Sequence, residues 1–196
     1  TIAGISEFLT SKDISHGLFY GGLEQIDRER ALIKFRNGTH QLLLATDLAA
    51  RGIDVPEIKF IIHYELPYKE KEFTHRNGRT ARMNAEGTAY VLTRKGAKLP
   101  DYMPELEDAN LAGGKDLKPS EWTTLYITGG KKDKISKGDI AGLFMKQAGL
   151  EPYEVGHIEI KLDSTFVSVH KTQLSKAIAK TNNTRVKKKK VRVSEA

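Results

Sequence analysis

The sequence contains no cysteine. That absence excludes a disulfide scaffold, a thiolate metal site and a cysteine nucleophile, and it fits a reducing, cytoplasmic compartment. Long apolar runs are also missing. Residues 42–45 and 60–62 form the longest, far too short to span a bilayer, so no membrane partner is expected. A phosphate-cradling G-x-x-x-x-G-K-[ST] loop is absent: Gly129-Gly130-Lys131 lacks the upstream glycine and the following hydroxyl. No acidic Walker B pattern is present to hold Mg2+. The six histidines are scattered, without metal-binding spacing. By itself the chain is therefore not expected to hydrolyse a nucleotide. It opens at Thr1 with what reads as a mid-domain helix and no signal-peptide pattern, and is expected to be a fragment.

What is present is enough apolar residue, 39% of 196, to bury a core. The net charge of +7 is unevenly placed. Residues 122–196 hold 15 Lys/Arg against 7 Asp/Glu, whereas residues 1–121 hold 17 against 18. Two modules are implied, the second facing a polyanion, and the run Lys187, Lys188, Lys189, Lys190 points to nucleic acid.

The first half alternates helix and strand signals. Ile5, Phe8 and Leu9 give a helical stripe, and residues 17–20 a short apolar stretch. Residues 25–35 place Ile26, Ala31, Leu32 and Phe35 on one helical face, stopped by Asn37-Gly38. Residues 41–46 and 59–64 are continuous apolar runs, predicting strands buried on both faces. Residues 69–82 read as helix broken at Asn77-Gly78, and 87–93 as strand. This pattern implies parallel βα units, with ligands at the carboxyl ends of the strands. Residues 96–121, rich in Pro and Gly and with six acids against three bases, read as a linker, with room for a short helix at 105–111.

The second half reads βαββαβ. Strands are predicted at 123–128, 155–162, 165–170 and 190–193. One helix starts at the Ser136-x-x-Asp139 capping box and ends at Gly149, and another carries Leu174, Ala177 and Ile178. Alternation turns Leu125, Ile127, Thr165, Val167 and Val169 inward and Tyr126 and Phe166 outward.

Two segments carry chemistry. In His75-Arg76-Asn77-Gly78-Arg79-Thr80-Ala81-Arg82, three arginines at spacing three would fan across one side of a helix. Guanidinium forks suit phosphate oxygens; the bland reading is a solvated face paired with Glu70 and Glu72. Ala45-Thr46-Asp47-Leu48-Ala49-Ala50-Arg51-Gly52-Ile53-Asp54 directly follows a predicted buried strand, at a ligand-binding position, or is an ordinary capped βα loop.

With Gln25-Ile26-Asp27-Arg28, these segments resemble the C-terminal RecA-like lobe of DEAD-box RNA helicases over residues 1–95. The motifs Q-x-x-R, A-T-D-x-A-A-R-G-x-D and H-R-x-G-R-T-x-R occur in family order, with Asn77 where Ile is usual, Ala81 where Gly is usual and Tyr20 where His is commoner. The resemblance implies that Gln25, Arg28 and Thr46 contact RNA backbone, and that Gly52 and Asp54 lie at the ATP ribose. It implies that Arg51, His75 and Arg76 couple the lobes, and that Arg79 and Arg82 reach the γ-phosphate, Arg82 as arginine finger. ATP with Mg2+ would be bound mainly by an N-terminal lobe.

Residues 125–140 are similar to the RNA-binding domain of DbpA-type DEAD-box proteins, an RRM variant, over residues 122–193, followed by a tail at 194–196. The fold expected is a RecA-like parallel α/β lobe followed by a small RRM-like βαββαβ domain. RNA contacts are expected at Tyr126 and Phe166 by stacking, and at Lys131, Lys132, Lys134, Lys137 and Lys187, Lys188, Lys189, Lys190 by charge. For Tyr126 and Phe166 the other reading is that a tail or partner lobe covers them. The leading reading is part of an ATP-dependent helicase acting on structured RNA, with ribosomal RNA during large-subunit assembly implied. The alternatives are a non-catalytic RNA-binding or chaperone protein and a DNA-acting relative.

Overall fold

The computed structural model describes residues 1–47, 55, 58–80, 87–109 and 117–196. Of the predicted site residues, Arg51, Gly52, Asp54 and Arg82 lie outside these. The described residues fall into two compact units, Thr1–Ala45 with Lys118–Ala196, and Thr46–Leu117.

The first unit opens with helix α1 (Ile2–Ser11), strand β1 (His16–Phe19), helix α2 (Gln25–Arg36) and strand β2 (Leu42–Ala45). β1 and β2 pair in parallel, Leu18 opposite Leu44, with α2 crossing between them. The helix stops where the sequence predicted: Gly38 takes φ +74°, a left-handed geometry that costs glycine little. Its buried residue is a departure. Ile33 is fully buried, whereas Ile26, assigned to the buried stripe, is 52% exposed. α2 is packed along more than one side, so a single apolar stripe does not describe it.

The same unit contains the second module: β5 (Trp122–Ile127), α4 (Lys137–Gly142, prolonged by a wider π-helical turn Leu143–Gln147), β6 (Val155–Ile160), β7 (Thr165–His170), α5 (Leu174–Thr181), a two-residue ladder of β8 (Arg185–Val186) with β9 (Lys189–Lys190), and β10 (Val193–Glu195). The four long-range strands form an antiparallel sheet in the order β10-β5-β7-β6. Leu125, Ile127, Val167 and Val169 point to one face and pack with Ile140, Phe144 and Ala177 of the helices, as alternation predicted. Ser136 caps α4 by accepting from the Asp139 amide at 3.3 Å, and Asp139 accepts in return from the Ser136 amide at 2.8 Å. Hydrogen bonds from Ser136 and Lys187 hold the Asp139 carboxyl down to about 2. Gly149, φ +64°, ends the helix. The final strand differs from expectation: Lys190 belongs to the short β8–β9 ladder, residues 191–192 are in no strand, and the sheet strand is Val193–Glu195, taking in residues expected as a tail.

The second unit holds β3 (Phe60–His63) paired in parallel with β4 (Thr88–Val91), and helix α3 (Glu70–Asn77) between them. β3 is not covered on both faces, contrary to expectation. His63 is buried, but Phe60 and Ile62 on the other face are 60% and 55% exposed. An apolar run records what a strand can bury and leaves open which neighbours cover it. Residues 105–109 carry no helix.

Candidate nucleotide and nucleic-acid interfaces

In the unit Thr46–Leu117, the two described arginines of the motif, Arg76 and Arg79, do not share a helix. α3 ends at Asn77, Gly78 caps it, and the Arg79 amide bonds back to the Arg76 carbonyl at 3.1 Å. The chain then turns so that Thr80 bridges to Ile58 and its hydroxyl donates to the Ile58 carbonyl. Of the described pair, Arg76 lies in the helix and Arg79 beyond it, and the carboxylate partner of Arg76 is Asp47 rather than Glu70 or Glu72. Nε and Nη2 donate to the two Asp47 oxygens at 2.5 and 2.6 Å, and Nη1 donates to the Glu65 carbonyl at 2.7 Å.

Behind this pair sits His63, which sequence reasoning missed. Its Nε2 donates to Asn77 Oδ1 at 2.8 Å, leaving Nδ1 as an acceptor 3.4 Å from Arg76 Nη1. Its ring stacks on Phe73, centroids 4.8 Å apart. Burial lowers the His63 pKa, and Arg76 adds to this against the raising effects of Asn77 and Asp47, so the ring stays neutral. Asn77, where the family pattern has Ile, therefore has a partner of its own. His75 is exposed on the same helix, and Thr46 is exposed just before Asp47.

At the start of α2, Gln25 and Arg28 meet. Arg28 Nη2 donates to Gln25 Oε1 at 2.7 Å, and Nη1 to the Gly21 carbonyl at 3.3 Å. Spacing three put both on one face of the first turn.

The lysines come together at one corner of the second module. Gly130 lies so close to the 161–162 backbone that a Cβ there would be 2.4 Å from the Lys161 carbonyl oxygen. This close approach lets the Lys131 and Lys132 amides bond to the Lys161 and Leu162 carbonyls at 2.9 and 3.0 Å. The β8–β9 turn joins them: Lys187 donates to the Lys134 carbonyl at 2.5 Å and pairs with Asp139 at 2.9 Å. Lys189 pairs with Asp133 at 3.7 Å and Lys132 with Asp163. Lys131, Lys134, Lys137, Lys188 and Lys190 are exposed and make no ion pair among the described residues. Two lysine groups some 50 residues apart in sequence thus form one patch, through loop contacts no local motif announces.

Of the two readings of the aromatic pair, open to bases or covered, Phe166 takes the covered one. Tyr126 and Phe166 lie opposite one another on the outward face, centroids 5.4 Å apart and edge to face. Phe166, however, is only 6% exposed. Alternation assigned its face correctly but not what lies over that face.

Among the described residues no three His, Asp or Glu side chains converge as metal ligands.

Residues 1–84 match the family "Helicase conserved C-terminal domain", and residues 124–195 the "DbpA RNA binding domain". With the parallel α/β pairs and the arginine motif, these matches define the C-terminal region of a helicase joined to an RNA-binding module. The chain belongs to the DEAD-box RNA helicases. It is similar to ATP-dependent RNA helicase DbpA of Escherichia coli, 31% identical over 182 residues, 89% of this chain and 40% of that protein. DbpA of Bacillus subtilis is 29% identical over 209 residues, 90% and 43% of the two. The mitochondrial DEAD-box helicase 9 of Arabidopsis thaliana is 48% identical over 73 residues, 37% and 12%. The chain spans less than half the length of the DbpA proteins it matches.

Proposed function

We propose that this chain is the RNA-gripping and arginine-supplying part of an ATP-dependent helicase that remodels structured RNA, with ribosomal RNA as substrate. In this reading an N-terminal RecA-like lobe holds ATP and Mg2+, and this chain is inactive without it. Arg79 and Arg82 approach the γ-phosphate when the lobes close, and Gly52 and Asp54 meet the ribose. Arg51, His75 and Arg76 carry the nucleotide state between lobes, Arg76 through its hold on Asp47. An arginine finger in phosphoryl transfer contributes about 10³–10⁵ in rate, or ~4–7 kcal/mol. Because the finger and the phosphate sit on different lobes, hydrolysis depends on closure, and RNA bridging both lobes favours it.

On the RNA side, Gln25 and Arg28 act as one bonded pair on the backbone, with Thr46 adding a hydroxyl. The second module tethers the helicase and raises the local concentration of nearby duplex. The convergence of Lys131, Lys134, Lys137, Lys188 and Lys190 on one corner carries this reading, since five unpaired ammonium groups on a folded surface match a phosphate backbone.

The test replaces those five lysines by glutamine and measures affinity for a single-stranded RNA against salt. Each lost phosphate contact to single-stranded RNA is expected to flatten the log–log slope by roughly 0.7. An unchanged slope would remove the corner from the interface. RNA affinity with no ATPase, after joining to the family's N-terminal lobe, would favour the non-catalytic alternative.

A further inference from the structure

The outward face of the second sheet is occupied by α2. Arg36, at the end of that helix, donates to both carboxylate oxygens of Glu159 on β6, at 3.0 and 2.8 Å. Two turns earlier on the helix, Glu29 pairs with Lys161 at 2.7 Å, and Lys161 also pairs with Glu159 at 2.7 Å. Charges therefore alternate Glu29–Lys161–Glu159–Arg36, the helix supplying the ends and the sheet the middle. Burial works against the Glu159 charge, but the bonds from Lys161 and Arg36 overcome it and hold its pKa below the ordinary carboxylate value.

The turn after α2 completes the contact. Asn37 Nδ2 lies 3.2 Å and Thr39 Oγ1 2.7 Å from the hydroxyl of Thr124, the outward residue two before Tyr126. Ser120 donates to the Gly38 carbonyl at 2.5 Å, and Gly38 lies beside the Trp122 ring. In register, Glu159 and Tyr126 flank Phe166 on the two neighbouring strands. Glu159 is thus in the same row as the aromatic pair, and Thr124, opposite Ser168, is two residues along on the same face.

Two features make this contact unlike a permanent core. Apart from Gly38 against Trp122, its named contacts are ions, hydroxyls and an amide, and among the described residues the buried Asn37 Oδ1 has no hydrogen-bond partner. An orphaned acceptor leaves part of its desolvation cost uncompensated, which weakens the dock relative to a fully satisfied one. Polar interfaces of this kind within one chain are those that open and close.

We propose that α2 is a reversible intramolecular cap on the nucleic-acid face of the second module. Docked, it withholds Phe166 and Tyr126 from bases and leaves RNA to the lysine corner. Released, it exposes an aromatic pair on which unpaired bases stack. Because Gln25 and Arg28 lie on α2 within the turn before Glu29, which pairs with Lys161, the cap holds the tethering module beside the lobe's own RNA pair. The docking itself does not depend on the RNA reading above; its consequence for base stacking does.

The chain lacks cysteine, so two labelling cysteines are unambiguous. Spin labels at Arg30→Cys and Ser194→Cys, both exposed positions, report the distance between α2 and the sheet edge. The unaltered chain gives a narrow distribution. Arg36→Glu and Glu159→Arg each broaden it, and the double swap narrows it again, which shows that neither variant merely misfolds. A single-stranded oligouridylate then binds the Arg36→Glu chain several-fold tighter than the unaltered chain, although the change removes positive charge and would by electrostatics alone weaken RNA binding. Adding Tyr126→Ala abolishes the gain.

A broad distribution in the unaltered chain, or no broadening in either single swap, overturns the dock. Broadening without a gain in oligouridylate binding overturns the cap. Loss of all RNA binding in every variant defeats the RNA reading and the cap with it, while the distances still report whether α2 docks.

Discussion

Arg76 and Asp47 form a two-pronged ion pair, at 2.5 and 2.6 Å, that ties α3 to the residue just beyond the Ala45-Thr46 step. The pair is half-buried, and Arg76 also holds the Glu65 carbonyl, so one guanidinium fixes two loops against a helix. The fork geometry matters here because a lysine ammonium cannot reach both oxygens in plane.

Arg76→Lys is therefore expected to behave much like Arg76→Ala in urea unfolding, each losing about 1.5–3 kcal/mol, the range for hydrogen bonds to charged groups. Asp47→Asn should lose a similar amount, and the double variant little more than either single one. Additive losses in that cycle would show that the two side chains are not coupled.

Arg82, known only from its motif position, is expected to serve the γ-phosphate. In a protein carrying both lobes, Arg82→Ala should lower RNA-stimulated ATP turnover by about 10³-fold or more while RNA affinity stays within two-fold. Turnover near that of the unaltered enzyme would take the finger role from Arg82.

His40 sets an acid limit on stability. Burial, helped by Lys34, His16 and Lys171, lowers its pKa to about 4 from the ordinary 6.5, and its Nδ1 lies 2.9 Å from the Ser15 hydroxyl. The unfolded chain thus takes up a proton that the folded chain refuses. Stability is full above about pH 6.5 and is lost progressively as the pH falls towards 4. His40→Asn keeps an acceptor-sized group without the titration, and should reduce proton uptake on unfolding between pH 4.5 and 6 by about one. Equal pH slopes for the two chains would contradict this.

Much of this arrangement was legible in one dimension. The limits of α2, the capping box of α4 and the inward alternation of β5 and β7 follow from spacing and turn chemistry within a few residues, and such signals survive wherever the element is placed. The motif order likewise announced the helicase family and put Gln25 beside Arg28, because three residues along a helix is a fixed distance. Glycines marked the helix end at Gly38 and the turn at Gly149 for the same local reason. The partners of Arg76, the burial of Phe166 and the open face at Phe60 and Ile62 were not legible.

Local order along the chain determined which residues carry charge, which faces are apolar and where the backbone turns. Only the tertiary structure decided which of those faces meet. Arg36 and Glu159 are separated by 123 residues, and His63 and Asn77 by a loop and a helix. Nothing in either local pattern names the other member, since a charge or a hydrogen-bonding group is satisfied by any complementary group that the packed chain brings within about 3 Å.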